Sequence, residues 1–257
     1  MQGNTNHMTD HIEITRHGAV QAIRMNRPDK KNAITRAMYA AMAAALADGD
    51  ADPAIRVHLF LGVPGAFSSG NDLADFMAVA MGGEGGMEVY DFLIGLARSQ
   101  KPIVSAVDGI AVGIGTTINL HCDLTLATPR TVFRTPFVDL GLVPEAGSSL
   151  LAPATLGRQQ AFALLGLGEG FSADRALAAG LIYKIVPEAD LETEALKLAR
   201  TLATRPPEAL KIARDLMLGN RDTLVARIEE EGRHFRARLK SDEAREAFMA
   251  FMGRKKG

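Results

Sequence analysis

Lys101-Pro102-Ile103-Val104-Ser105-Ala106-Val107-Asp108-Gly109-Ile110-Ala111-Val112-Gly113-Ile114-Gly115 is the stretch on which the fold turns. Pro102–Val107 is a short apolar run, rich in β-branched residues and closed by Asp-Gly, which reads as a buried strand. Gly113–His121 behind it has helical spacing, and Leu124–Ala127 is a further strand. Outward toward the N-terminus, Val57–Gly62 is another buried-type strand, ended by Val63-Pro64-Gly65. Ile12–Thr15 and Val20–Met25 alternate as strands about a His17-Gly18 turn. Thr35 caps a helix that runs through an alanine-rich stretch to about Ala51. Asp72–Ala80 and Glu88–Ser99 read as helices, with the glycine-rich Met81–Gly86 between them as a candidate mobile loop. Short strands alternating with helices predict an α/β fold.

Toward the C-terminus the pattern changes. Ser172 caps a helix that Gly180 ends, and Leu181–Val186 is a last strand. The helical stretches 191–205, 207–219, 223–239 and 241–252 follow, broken at Pro206-Pro207 and Gly219-Asn220. This predicts an α/β core over residues 9–190 and a helical C-terminal region over 191–257, not two independent domains. Residues 1–8, ending in His7-Met8, look like a cloning scar or disordered tail and are left out of the fold.

The chain has 257 residues, 47% hydrophobic and 23% charged, enough apolar material for a sizeable core. Its net charge of −1 gives no reason to expect nucleic acid or an acidic membrane surface as a partner. No apolar run reaches transmembrane length. The lone Cys122 cannot form an internal disulfide and suits a reducing compartment. The N-terminus lacks a signal-peptide apolar region, and the final Arg254-Lys255-Lys256-Gly257 is not a Ser-Lys-Leu address. The expected location is cytoplasmic. The six histidines and one cysteine show no metal-ligand spacing, so no metal is expected.

Three segments carry chemistry when read together: Phe67-Ser68-Ser69-Gly70-Asn71-Asp72-Leu73, Ala111-Val112-Gly113-Ile114-Gly115 and Leu142-Val143-Pro144-Glu145-Ala146-Gly147. The first two each offer a backbone N–H beside a glycine, and two such donors aimed at one point form an oxyanion hole. The third supplies one carboxylate able to move a proton. Taken singly, each has a plainer reading. Ser-Ser-Gly-Asn is a turn, Gly113 and Gly115 permit close packing, and Glu145 complements a helix dipole.

With these motifs, and with Asn26-Arg27-Pro28, Asn32-Ala33, Cys122-Asp123-Leu124 and Ala178-Ala179-Gly180-Leu181, the chain resembles the crotonase (enoyl-CoA hydratase/isomerase) superfamily from about Ile12 onward. The resemblance implies a crotonase-like spiral of ββα turns with a helical trimerisation region. It also implies an acyl-CoA thioester substrate, a homotrimer or hexamer, and no cofactor beyond the coenzyme A of the substrate. By the same match the backbone N–H groups of Asn71 and Ile114 are the oxyanion donors. Lys30, Lys31 and Ala33, with Ser69, Gly70, Asp72 and Leu73, would line the coenzyme A and pantetheine path, and Gly113 would also touch the substrate. Phe137, Leu142 and Val143 either line the acyl pocket or are ordinary core.

Departures from the hydratase pattern matter most. The two glutamates with which hydratases handle water fall here at Thr117 and within Thr135-Pro136-Phe137, and neither threonine nor phenylalanine is a general base near neutral pH. Glu145 stands instead where hydratases usually carry glycine, an arrangement resembling the peroxisomal-type Δ3,Δ2-enoyl-CoA isomerases, in which that glutamate is the base. The expected activity is isomerisation of an enoyl-CoA in fatty-acid β-oxidation. Weak hydration, thioester hydrolysis and a non-catalytic acyl-CoA-binding scaffold are the competing readings. A Ser-His-Asp hydrolase lacks its Gly-x-Ser-x-Gly elbow, and a dinucleotide site lacks its third glycine.

Overall fold

The computed structural model describes residues 10–72, 74, 75 and 86–254. The described strands form two sheets. β1 (Ile12–His17), β2 (Val20–Met25), β3 (Val57–Leu61), β5 (Ile103–Val107), β7 (Leu124–Ala127) and β10 (Lys184–Ile185) form one sheet in that spatial order. β4 (Ala66–Ser68), β6 (Ile110–Val112), β8 (Val132–Arg134) and β9 (Phe171–Ser172) form the other. Among the described strands, only the β1–β2 and β8–β9 pairs are antiparallel. From β3 to β8 each turn of chain lays one strand in the first sheet, steps to the second, and returns, which is the expected ββα spiral.

The steps between sheets are stacked. Asp108, between β5 and β6, accepts the Gly65 N–H at 2.7 Å from the preceding turn of the spiral. From the following turn it accepts the Thr128 hydroxyl at 2.7 Å and the Arg130 Nε–H at 2.8 Å. One carboxylate thus ties three successive corners.

The central strands are buried on both faces, which is why they read as continuous apolar runs and not as alternation. Val57, Leu59, Leu61, Val104 and Ala106 face outward onto helix α7 (Leu191–Ala203). That helix presents Leu191, Ala195 and Ala199 at four-residue spacing, small enough to sit close to the sheet. Phe60, Ile103 and Val107 face the larger core, which also takes α1 (Arg36–Ala51) and α2 (Met87–Arg98). Part-buried Cys122 packs against this core. Thr35 caps α1 through its side chain, and Ser172 caps α6 (Ala173–Ala179) in the same way, as expected.

Other expectations shift. The helix expected over Gly113–His121 is one turn of α-helix, α3 (Ile114–Thr117), followed by a 3-10 turn, Ile118–Leu120. The last strand is two residues long, because β7 offers it a partner only at Leu126 and Ala127. The expected helix Asp72–Ala80 and loop Met81–Gly86 lie largely outside the described residues. The remaining helices are α4 (Ser148–Leu156), α5 (Arg158–Leu165), α8 (Pro207–Leu218), α9 (Arg221–Leu239) and α10 (Asp242–Arg254), and all of these but α8 give buried residues to the main core. Among the described residues no helix is long and apolar enough to cross a membrane.

Candidate active site

The ends of β4 and β6 place the two expected donor segments side by side. The strands are parallel, with Ser68 opposite Ala111. Two residues on, a Cβ added to Gly70 would lie 3.1 Å from the Val112 carbonyl oxygen. Gly70 also has φ +95°, so this position needs glycine both for backbone and for space. Asn71 then pairs with Ile34 in a parallel bridge. Gly70 C=O accepts the Ile34 N–H and Asp72 N–H donates to Ile34 C=O, each near 2.8–2.9 Å. In such a bridge the N–H of the central residue points the other way. Ile114 opens α3, where a first N–H has no intrahelical partner. Neither the Asn71 nor the Ile114 N–H is taken by an acceptor among the described residues.

The Asn71 side chain is itself held, its Oδ1 accepting the Tyr39 hydroxyl at 2.6 Å. Tyr39 is buried on α1. Burial, with the Glu145 carboxyl as the lesser cause, holds its phenol well above the usual range, so it remains a donor.

Glu145 is 8% exposed. Its Oε1 accepts the Thr117 hydroxyl at 2.6 Å. Burial pushes its carboxyl up to about 8; the charge of Glu231 adds to this, and the Thr117 hydrogen bond opposes it. Thr117, read from the sequence only as a lost base, therefore supports the carboxylate that remains. The chain turns sharply after Glu145, through Ala146 (φ +60°) and Gly147 (φ +69°), into α4.

Glu145 and Asn71 open into one cavity of about 670 Å³. Its apolar lining includes Ile34, Tyr39 and Leu93, with Ile228, Phe235 and Leu239 from α9. The Tyr90 hydroxyl donates to Glu229 Oε1 at 2.8 Å, joining α2 to α9 across this space.

The other residues singled out from the sequence fall into groups. Asp72 lines the same cavity, but its carboxylate is paired with Arg27 at 2.6 Å. Lys30, Lys31 and Ala33 run beside Ser69 and Gly70: Ser69 donates its N–H to Lys31 C=O at 2.9 Å and its hydroxyl to Lys30 C=O at 3.1 Å. Buried Asn32 fixes that loop, giving its side-chain N–H groups to Met25, Ala66 and Phe67 carbonyls. The lysines are exposed. Gly113 donates to Arg134 C=O at 2.8 Å, anchoring the start of α3. Ile114, Phe137 and Leu142 are not among the residues lining the cavity; all three belong to the main core, the last two because the turn around Gly141 folds them inward. Leu73 lies outside the described residues. Tyr39, Ile34, His121 and Glu231 were not singled out. Glu231 alone left a trace, an acidic residue on the buried stripe of Val225, Ile228 and Leu239.

The sequence profile described as Enoyl-CoA hydratase/isomerase matches residues 15–257. Enoyl-CoA delta isomerase 2 of Rattus norvegicus is 37% identical over 250 residues, which are 95% of this chain and 64% of that protein. The chain thus spans just under two thirds of that relative's length. The 1,2-epoxyphenylacetyl-CoA isomerase of Escherichia coli (strain K12) is 32% identical over 243 residues, 92% of this chain and 93% of that one. A crystal structure of an enoyl-CoA hydratase/isomerase from Pseudoalteromonas atlantica T6c matches at a TM-score of 0.90 and 36% identity, covering 95% of this chain and 98% of that one. The two-sheet spiral is the crotonase fold.

Proposed function

We propose that this chain, which belongs to the enoyl-CoA hydratase/isomerase family, is a Δ3,Δ2-enoyl-CoA isomerase working with a single carboxylate. The observation that carries the reading is one buried glutamate, Glu145, facing the same cavity as Asn71. The two hydratase base positions hold a threonine that hydrogen-bonds Glu145 and a phenylalanine in the core. The likeness to the enoyl-CoA delta isomerase 2 of Rattus norvegicus supports the same reading.

In the proposed reaction a 3-enoyl-CoA binds with its thioester oxygen between the N–H groups of Asn71 and Ile114. The C2 proton is both allylic and next to the thioester, so its removal by Glu145 leaves a dienolate whose charge the two donors hold. Loss of one such donor typically costs roughly 3–4 kcal/mol of transition-state stabilisation. Glu145 returns the proton to C4, and the double bond moves to C2–C3. The carboxyl is regenerated as carboxylate, so no second acid and no cofactor take part. Lys30 and Lys31 are proposed to meet the coenzyme A phosphates. Exposed Ile212, Leu216 and Met217 on α8 support a homotrimer or hexamer, which light scattering would test.

The test is conversion of trans-3-hexenoyl-CoA to trans-2-hexenoyl-CoA by the purified protein beside Glu145→Gln, with products checked for 3-hydroxyacyl-CoA. Turnover by the parent and a loss of about a hundredfold or more in the variant are expected. No isomerisation, or activity untouched by the substitution, sinks the reading. A dominant 3-hydroxy product returns the chain to the hydratases.

A further inference from the structure

The turn that carries Glu145 is tied down from a distant part of the chain. Ala146 is a non-glycine residue in the left-handed region, a conformation that persists only under constraint. A Cβ on the next residue, Gly147, would come within 2.4 Å of Leu224 Cδ1, so its absence lets α9 close on the turn. From that helix Glu231, 6% exposed, reaches the turn with both oxygens. Oε2 accepts the Gly147 N–H at 2.6 Å and Oε1 the Ser149 N–H at 2.9 Å. An ordinary helix cap comes from the residue next to the helix. Here Gly147 occupies that place, and the acceptor lies 84 residues downstream. On the other side of the turn His121 Nε2 lies 2.7 Å from the Ala146 carbonyl. Burial holds His121 down at about 4, so it is a neutral donor there.

We propose that Glu231 is a positioning residue for Glu145: its carboxylate fixes the backbone that presents Glu145 to the cavity and sets a negative charge behind it. The inference rests on the reading of Glu145 as the base. Among the described residues, three titratable groups bear on Glu231. Arg227, on the same helix, places Nη1 3.2 Å from Ser149 Oγ and Nε 3.1 Å from Glu230. Glu145 faces it from the turn, and His121 is neutral. Burial pushes the Glu231 carboxyl up, while the Ser149 and Gly147 bonds and Arg227 favour its ionised form. Its charge in turn favours the protonated form of Glu145.

Glu231→Gln keeps the size, removes the charge and turns an amide N–H toward a backbone N–H. With trans-3-hexenoyl-CoA its kcat is expected to fall about tenfold or more with KM within about twofold, and the acidic limb of kcat/KM to move down by about half a pH unit. A residue that only caps α4 would lower Tm and leave that limb in place; a folded Glu231→Gln with an unmoved limb overturns the proposal. Glu231→Asp keeps the charge and loses the reach. Reduced kcat at a parental limb supports the proposal, and unchanged kcat overturns it even where Glu231→Gln does not fold. Thr117→Val separates this inference from the one beneath it. Losing that hydrogen bond moves the limb of Glu145 up by about half a unit. If it does so while Glu231→Gln moves nothing, Glu145 stands as base and only the role of Glu231 fails. If neither moves the limb, the base assignment itself fails, and this proposal with it.

Discussion

Glu145 is a carboxyl in surroundings that favour its neutral form, and a base has to be ionised to act. The free enzyme is therefore expected to gain kcat/KM about tenfold per pH unit on the acidic side and to level off above about pH 8, where burial holds this group. A profile already flat from pH 6 would contradict that. The same shift predicts a stability change of opposite sense. Below about pH 4 the carboxyl is neutral both folded and unfolded. As pH rises toward about 8 the unfolded chain ionises first, so the parent loses stability across that window and none beyond it. Glu145→Gln escapes this loss. It is expected to melt at least about 2–4 °C above the parent at pH 8 and close to it at pH 4, read by calorimetry at both pH values.

At the scale of elements, what counts is that two parallel strands end together. β4 and β6 run in the same direction and stop within a residue or two of each other, so the segments that follow them meet at one place. Gly70 allows the meeting. An alanine there would hold φ +95° and press its Cβ against the Val112 carbonyl. Gly70→Ala is expected to cost about 1–3 kcal/mol of stability and, by turning the Asn71 N–H, to lower kcat tenfold or more. A variant with parental kcat at saturating substrate would show that the donor at Asn71 tolerates displacement or is not used. The helix α9 matters in the same way, because its apolar residues line the same cavity as Tyr39 and Leu93.

Over the whole molecule, two ionic clusters, each with one largely buried member, join parts far apart in sequence. Arg214 on α8, 3% exposed, places Nε 2.8 Å from Asp123 Oδ1 and Nη1 2.6 Å from the Ser99 carbonyl. Asp123 also accepts the Ile103 N–H at 2.8 Å. Arg214→Met leaves that carboxylate without its cation and is expected to cost about 3 kcal/mol, or roughly 6–12 °C in Tm. A Tm within a degree of the parent would show that α8 docks without it. The second cluster is at Asp108. Burial alone would raise its carboxyl, but Arg130, the Gly65 N–H and Thr128 outweigh it and hold the group at about 2. The stability this adds is complete above the ordinary carboxylate value near 4 and disappears as pH falls through about 2. Asp108→Asn should therefore narrow the gap to the parent between pH 4 and pH 2 in acid unfolding followed by circular dichroism. A gap constant over that range would mean the group is not depressed.

Some of this was legible in the chain itself. Buried strands such as Val57–Leu61 are apolar without a break because both faces are covered, and the caps Thr35 and Ser172 act within three residues of themselves. Such signals are local, so sequence alone determined the α/β class, most helix limits and Glu145 as the one carboxylate after the Leu-Val-Pro turn. Short strands such as Ala66–Ser68 and Val132–Arg134 left no pattern, since three residues carry no period and exist only because neighbours pair with them. The partners of Glu145 were likewise beyond reach. Thr117 lies 28 residues before it, and Glu231 meets its turn from a helix far downstream. Side chains that distant come together only when the spiral closes and α9 packs over it, so the environment that tunes the carboxyl was decided by tertiary structure.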